Sequence, residues 1–159
     1  MTIRLATETD IDGLNRLFFE ADSLHHGGEP RVFGGQEHWG RSREFLGQIL
    51  ADPNQVILIA VEGENVTGLV HAVSQIRPEL GVLNERRVLV VDALIVGEEF
   101  QRRGIGTRLA EAVYKWGTAR GLSIVELTVW SFNESAIRFY ERMGFSVASF
   151  RMRRTLVQP

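Results

Sequence analysis

The chain has 159 residues, 44% of them apolar and 24% charged, with a net charge of −2 and no cysteine. That length and composition suit one soluble globular domain with a full core, read over residues 1–159. The small net charge excludes a whole-molecule field for nucleic acid or an anionic membrane, and the missing thiols exclude disulfides, thiolate metal sites and an acyl group parked on cysteine.

In chain order, "IRLA" reads as a first strand. "TETDIDGLNRLFFEADSL" carries Ile11, Leu14, Leu17, Phe18 and Ala21 at helical spacing, with Thr9 and Asp12 placed for a capping box. Gly27, Gly28, Gly34 and Gly35 break the next stretch into loop; "SREFLGQIL" is a second helix, closed by Asp52-Pro53. "VILIAV" and "VTGLVHAVSQI" flank the polar turn "EGEN" and predict a β-hairpin. "VLVVDALIV", Val88 to Val96, is apolar on both faces, as a strand buried in mid-sheet requires. A long helix then repeats Ile105, Leu109, Ala112, Val113 and Trp116 on one face and ends at Gly121. "SIVELTV" predicts a strand, "NESAIRFYERM" a helix stopped by Gly144, and "FSVASFRMRRTL" a final strand. This order predicts an α/β (α+β) fold with a mixed central sheet and helices on both faces. No apolar run nears the ~20 residues of a membrane span. "MTIRLATETD" lacks the charged and apolar regions of a secretion signal, so the expected location is cytoplasmic.

The stretch "FQRRGIG", Phe100 to Gly106, opens the long helix. The first turn of a helix leaves N–H groups without partners at the positive end of the macrodipole, and Gly104 and Gly106 let a diphosphate approach the backbone. Arg102 and Arg103 add charge there. A Walker A loop is excluded because no Gly-Lys-Ser/Thr ending follows. A dinucleotide fingerprint is excluded because its third glycine would fall on Leu109, and because seven residues separate Val96 from Gly104. Gln101 through Gly106 on its own still allows a plain glycine turn.

A second element, "NESAIRFYERMGF", contains Asn133, Ala136, Tyr140 and Gly144-Phe145. Together with "DALIVGEEFQRRGIGTRLAEAV" it resembles the paired motifs of the GNAT superfamily of acetyl-coenzyme A-dependent N-acetyltransferases, and the resemblance runs from Ile3 to Leu156. It implies the GNAT fold, with a sheet of six to seven strands, and acetyl-CoA as co-substrate without a metal. It implies direct transfer of the acetyl group to a primary amine, on a small molecule or on a peptide N-terminus or lysine. By the same resemblance, the backbone of Leu94, Ile95 and Val96 lies along the pantetheine arm and holds the acetyl carbonyl. Arg102, Arg103, Gly104, Ile105, Gly106 and Thr107 wrap the pyrophosphate, Asn133 and Ala136 meet the pantetheine arm, and Tyr140 protonates the departing thiolate. A non-catalytic CoA-binding module of the same fold is the alternative.

The chemistry suits these residue types, because a fixed strand N–H stabilises charge on the acetyl oxygen and a phenol supplies a proton to sulfur. Taken alone, Tyr140 shares an apolar helical face with Ala136 and Ile137 and reads as a core aromatic.

An alkylamine must lose a proton before attack. Asp92 is the only charge in "VLVVDALIV", so burial is expected to raise its pKa, and its strand parity puts it with Leu94 and Val96. Either it draws that proton through water, or it pairs with an arginine or caps a loop. Thr128 stands where the relatives that act on ribosomal-protein N-termini carry a glutamate, and Glu126 lies nearby in sequence. His71 reads as a hydrogen-bonded core histidine.

The loop "DSLHHGGEPRVFGGQEHWG" is expected to shape the acceptor pocket, with Phe33 and Trp39 as walls and Glu29 or Glu37 as cation anchors. His25, His26, Glu29 and His38 match no metal-ligand spacing, and the glycines suggest a loose frame. The arginines of "RMRRTL" lack the interleaved aromatics of an RNA platform and read as a solvated edge or subunit contact. No nucleic acid or membrane partner is expected; the family tendency is to form homodimers.

Overall fold

The computed structural model describes residues 1–156. They fall into two compact units, one ending at Thr128 and one beginning at Val129.

The first unit is built on a five-stranded sheet in chain order, β1 (Thr2–Leu5), β2 (Gln55–Glu62), β3 (Asn65–Arg77), β4 (Arg86–Val96) and β5 (Ile124–Leu127). The first four strands run antiparallel and β5 joins β4 in parallel, so the sheet is mixed. The hairpin between β2 and β3 turns through Gly63, whose φ of +61° lies in the left-handed region that favours glycine.

Alternation along the strands divides the apolar side chains between two cores. On one face, α1 (Ile11–Gly28) and α2 (Arg43–Ala51) bury Leu14, Leu17, Phe18, Leu46 and Ile49 against Ile57, Ile59 and Leu69. On the other, α3 (Ile105–Thr118) buries Ile105, Leu109 and Val113 against Val56, Leu58, Val70, Leu89 and Val91. Each helix starts with local chemistry. Ser42 accepts the Phe45 N–H at 3.1 Å to open α2. Gly104, at φ +77°, turns the chain into α3.

Ahead of α1 the carboxylate cap is Asp10, where the sequence pattern suggested Thr9 and Asp12. The Asp10 carboxylate accepts the Thr7 N–H at 2.8 Å and takes a two-pronged contact from Arg4 of β1, at 2.7 and 2.9 Å. It is 8% exposed. The strand residue Arg4 outcompetes the helical spacing, because a bidentate guanidinium contact is stronger than a neutral cap.

The second unit contains α4 (Glu134–Arg142), capped by Asn133, whose Oδ1 accepts from the Ala136 N–H at 3.1 Å. Gly144 ends it at φ +89°. The expected final strand is absent: among the described residues 145–156 carry no strand, so the sheet has five strands where six to seven were expected. The pattern itself is strand-like, with Ala148, Phe150, Met152 and Leu156 on one parity and Ser149, Arg151 and Arg153 on the other, yet the apolar side is left uncovered. Phe150 and Met152 remain 84% and 92% exposed. Among the described residues no helix is long and apolar enough to cross a membrane.

Two measurements test this account. Replacing Asp10 with Ala lowers the urea-unfolding free energy by about 2 kcal/mol at neutral pH. Arg4 holds the Asp10 carboxyl down at about 2. Its contribution is therefore complete above the ordinary aspartate value of ~3.9 and is lost as pH falls toward that lower value, where the variant and wild type converge. Gly68→Ala costs about 1–3 kcal/mol, since its Cβ would lie 2.9 Å from the Ile95 carbonyl oxygen and 3.1 Å from Leu109 Cδ1.

Candidate active site

The site begins with a change of partner along β4. Its first half, Val88 to Val91, pairs with β3 on one side and with Ile124 to Leu127 of β5 on the other. From Ala93 to Val96 it pairs with β3 alone. The parallel ladder therefore stops short, and the outer edge of Leu94, Ile95 and Val96 carries backbone groups with no strand beside them among the described residues.

A β-bulge falls at the same place. Ala72 pairs with Val91 and His71 with Ala93, which leaves Asp92 as the extra residue. The bulge reverses the parity of the strand. Leu89 and Val91 face the α3 core before it, and Leu94 and Val96 face that core after it, while Ala93 and Ile95 pack on the α1–α2 side. Asp92 does not follow Leu94 and Val96, as simple alternation suggested. Its Oδ2 lies 3.2 Å from Nδ1 of His71, on the face with Leu69.

The same contact reverses the expected electrostatics of Asp92. The side chain is 64% exposed, and the hydrogen bond from His71 holds its pKa below the ordinary carboxylate range, against the opposing effect of desolvation. The charge of Arg41 lowers it further. At neutral pH Asp92 is an anion. His71 is 5% exposed and its other nitrogen, Nε2, lies 2.8 Å from Gln55 Oε1. It is a satisfied buried histidine, as expected, but the residue it meets is the candidate base. Sequence spacing does not reveal a pair 21 positions apart on neighbouring strands.

Beyond Val96 the chain makes a short 3-10 turn at Glu98–Phe100 and a strained loop. Arg102 has φ +60°, the only positive φ among the described non-glycine residues, and Gly104 follows at +77°. Holding an arginine there costs about 1–3 kcal/mol and persists only because the surroundings fix it. The Gln101 amide donates to the Val96 carbonyl at 3.2 Å, and Arg103 donates to the Glu99 carbonyl at 2.8 Å while lying over the Phe100 ring. The first intrahelical acceptor is the Gly104 carbonyl, bonded by Arg108 N–H. The N–H groups of Ile105, Gly106 and Thr107 thus form the open first turn of α3. A Cβ on Gly104 would meet nothing within 4 Å, so the mouth of this turn is clear. Backbone donors, a positive helix end and arginines in one accessible loop suit a diphosphate.

In the second unit, Asn133 spends its Oδ1 on capping α4 and on Ser135 Oγ at 3.0 Å, leaving the amide N–H groups as donors. The Tyr140 ring makes edge contacts with Phe139 and Phe145, with centroids 5.2 and 5.5 Å away.

The sequence pattern of the Acetyltransferase (GNAT) family matches residues 16–145. The chain belongs to this family. An N-acetyltransferase of Methanocaldococcus jannaschii, itself uncharacterized, is 30% identical over 144 residues, 91% of this chain; the chain spans 60% of that relative's length. Among solved structures, a tetramutant of the BH1408 protein from Bacillus halodurans matches with a TM-score of 0.93 at 25% identity, over 98% of this chain and 100% of that one. The aminoglycoside N-acetyltransferase AAC(6')-Iy, solved in complex with CoA, matches with a TM-score of 0.68 at 19% identity, over 96% of this chain and 100% of that one, a likeness of fold.

The remaining candidates of this GNAT chain divide sharply. Glu126 is engaged with Arg77 at 2.8 Å and Arg86 at 3.7 Å. The loop after α1 is tied down despite its glycines. Trp39 donates to the Gly34 carbonyl at 2.9 Å and packs on Phe19, His25 stacks on Phe33, and Arg41 pairs with Asp22 at 2.7 Å. Phe33 and Trp39 do form walls, of a cleft of about 100 Å³ shared with Asp22, Gly34, His38 and Arg41. Arg41 is the residue that sequence reasoning missed there, since only the fold brings it near both Asp22 and Asp92.

The strained loop has a direct test. Arg102→Gly raises the unfolding free energy by ~1 kcal/mol and Gly104→Ala lowers it by a similar amount, since each changes whether the left-handed position holds a Cβ. Urea titrations of the two variants, with unchanged far-UV spectra, check this.

Proposed function

We propose that the chain, acting as one domain over residues 1–159, transfers an acetyl group from acetyl-CoA to a primary amine. The observation that carries this reading is the outer edge of β4, with no strand beside Leu94 to Val96 among the described residues, leading directly into the strained, donor-rich turn of α3. A pantetheine arm is amide-bearing and extended, so it can lie along such an edge as an added strand would. The N–H groups of Ile105, Gly106 and Thr107, with Arg102 and Arg103, receive the pyrophosphate at the helix end. Acetyl-CoA supplies the activated acyl group; the protein supplies orientation and charge.

In this reading a backbone N–H of the Leu94 to Val96 edge faces the acetyl oxygen, where negative charge gathers as the amine attacks. A fixed dipole at that point lowers the barrier without reorganising. The amine nitrogen forms a bond to the carbonyl carbon, the C–S bond breaks, and Tyr140 gives its phenolic proton to the departing sulfur. Asn133 and Ala136 steady the pantetheine arm. Asp92 attracts the acceptor as an ammonium ion and takes up the released proton through water. The cleft walled by Phe33 and Trp39 is the proposed entry for the acceptor. The aminoglycoside enzyme of like fold supports a small polyamine-like acceptor over a macromolecule.

A free-thiol release assay with acetyl-CoA and a panel of alkylamines, polyamines, aminoglycosides and peptides tests the reading. Acetyl-CoA binding with no thiol released from any acceptor would make the chain a binding module. Tyr140→Phe keeps acetyl-CoA affinity and lowers kcat well over tenfold, read from steady-state kinetics beside equilibrium binding.

A further inference from the structure

The hydrogen bonds around His71 fix the position of a proton. Asp52, which follows α2, has only acceptors when ionised: its Oδ1 accepts the Asn54 N–H at 2.8 Å and its Oδ2 accepts the Gln55 side-chain amide at 2.8 Å. These bonds hold the Asp52 carboxyl below its ordinary range. An amide nitrogen bound to Asp52 leaves Gln55 only its oxygen to offer His71. Nε2 of His71, 2.8 Å from that oxygen, must therefore be the protonated nitrogen. A neutral imidazole would then point the bare lone pair of Nδ1 at the Asp92 carboxylate 3.2 Å away. Two lone pairs at that distance repel, and only a second ring proton turns the contact into a bond.

We propose that His71 is the positioning residue of Asp92, holding one proton between Nδ1 and Oδ2 and so presenting Oδ1 as the anion that receives the acceptor's ammonium group. This deepens the acetyltransferase reading and rests on it. The chain Asp52–Gln55–His71–Asp92 runs from the end of α2 across β2 and β3 to the bulge of β4. Its one buried member, His71, shares the α1–α2 face of β3 with Leu69. The other charges bearing on it are Arg41, which lowers Asp92, and Asp22, which engages Arg41. An exposed carboxylate on a flexible side chain would sample several rotamers. Bonded on one oxygen to a buried ring, it loses that freedom before the substrate arrives. Asp92 alternates with Leu89 and Val91 and so already points to the α1–α2 face that His71 shares with Leu69; the bulge leaves that contact in place while returning Leu94 and Val96 to the α3 core.

The test uses the full chain in two arms. The first is histidine ring nitrogen NMR on the ligand-free protein at neutral pH. In wild type both His71 nitrogens show the protonated shift, and in Asp92→Asn the Nδ1 signal moves to the unprotonated range. An unprotonated Nδ1 in wild type, or the same Nδ1 shift in both proteins, overturns the proposal whatever the protein catalyses. The second arm uses acetyl-CoA with whichever panel amine turns over. His71→Phe raises the amine KM about tenfold or more, leaves the acetyl-CoA KM within twofold, and moves the acidic limb of kcat/KM to higher pH. The sign follows from removing the group that holds Asp92 low. His71→Gln, which can still donate to Oδ2, recovers at least part of the KM. An acidic limb unmoved in His71→Phe, or no recovery in His71→Gln, overturns it. If no amine on the panel turns over, the acetyltransferase reading fails, and the NMR arm still decides whether the proton is shared. Should His71→Phe not fold, His71→Gln and Asp92→Asn carry both readouts.

Discussion

Everything at the candidate site depends on β4 having, among the described residues, a neighbouring strand on both sides for only half its length. A strand in mid-sheet satisfies its backbone through both neighbours. Here the parallel ladder to β5 stops at Val91, while the antiparallel ladder to β3 continues to Val96. That mismatch creates an open edge inside a folded sheet, shielded by helices on both faces and continuous with the loop that starts α3. The bulge at Asp92 sits where the two regimes meet. It lets β4 keep its pairing with β3 while exchanging which face each residue serves. A regular strand would keep its backbone closed or expose its core.

The elements were largely legible in the sequence because they are governed by local periodicity. The hairpin, the buried run of β4, the face of α3 and the stops at Gly121 and Gly144 each rest on residues within a turn or two of one another. What escaped depends on distant partners. Asp10 closes the turn ahead of α1 onto the Thr7 N–H while Arg4 reaches it from β1, and no helical spacing encodes that. His71 and Asp92 each looked explicable alone, and only register across the bulge joins them. The terminal run from Phe145 reads as strand by composition and by the shared parity of Ala148, Phe150, Met152 and Leu156, yet those side chains from Phe150 on stay exposed and no ladder forms among the described residues.

The chemistry of Asp92 shows the same division. An aspartate in an apolar strand suggests a buried carboxyl that clings to its proton. The folded chain does the opposite, because the carboxylate stays largely in water and meets a histidine of the neighbouring strand. Of the two environments that shift acid strength, desolvation is local and visible in sequence. The specific hydrogen bond is neither, and it prevails.

The left-handed Arg102 carries a consequence for how the loop would meet any anion. A segment already fixed by Gln101, by Arg103 and by its own unfavourable torsion has surrendered its conformational entropy during folding. Little ordering is left for the moment of encounter, so complex formation would be limited by diffusion and charge and would show little dependence on loop rearrangement. Folding stability and readiness for a partner are thus drawn from one reservoir at this turn. A protein under pressure only to be stable would place glycine at position 102.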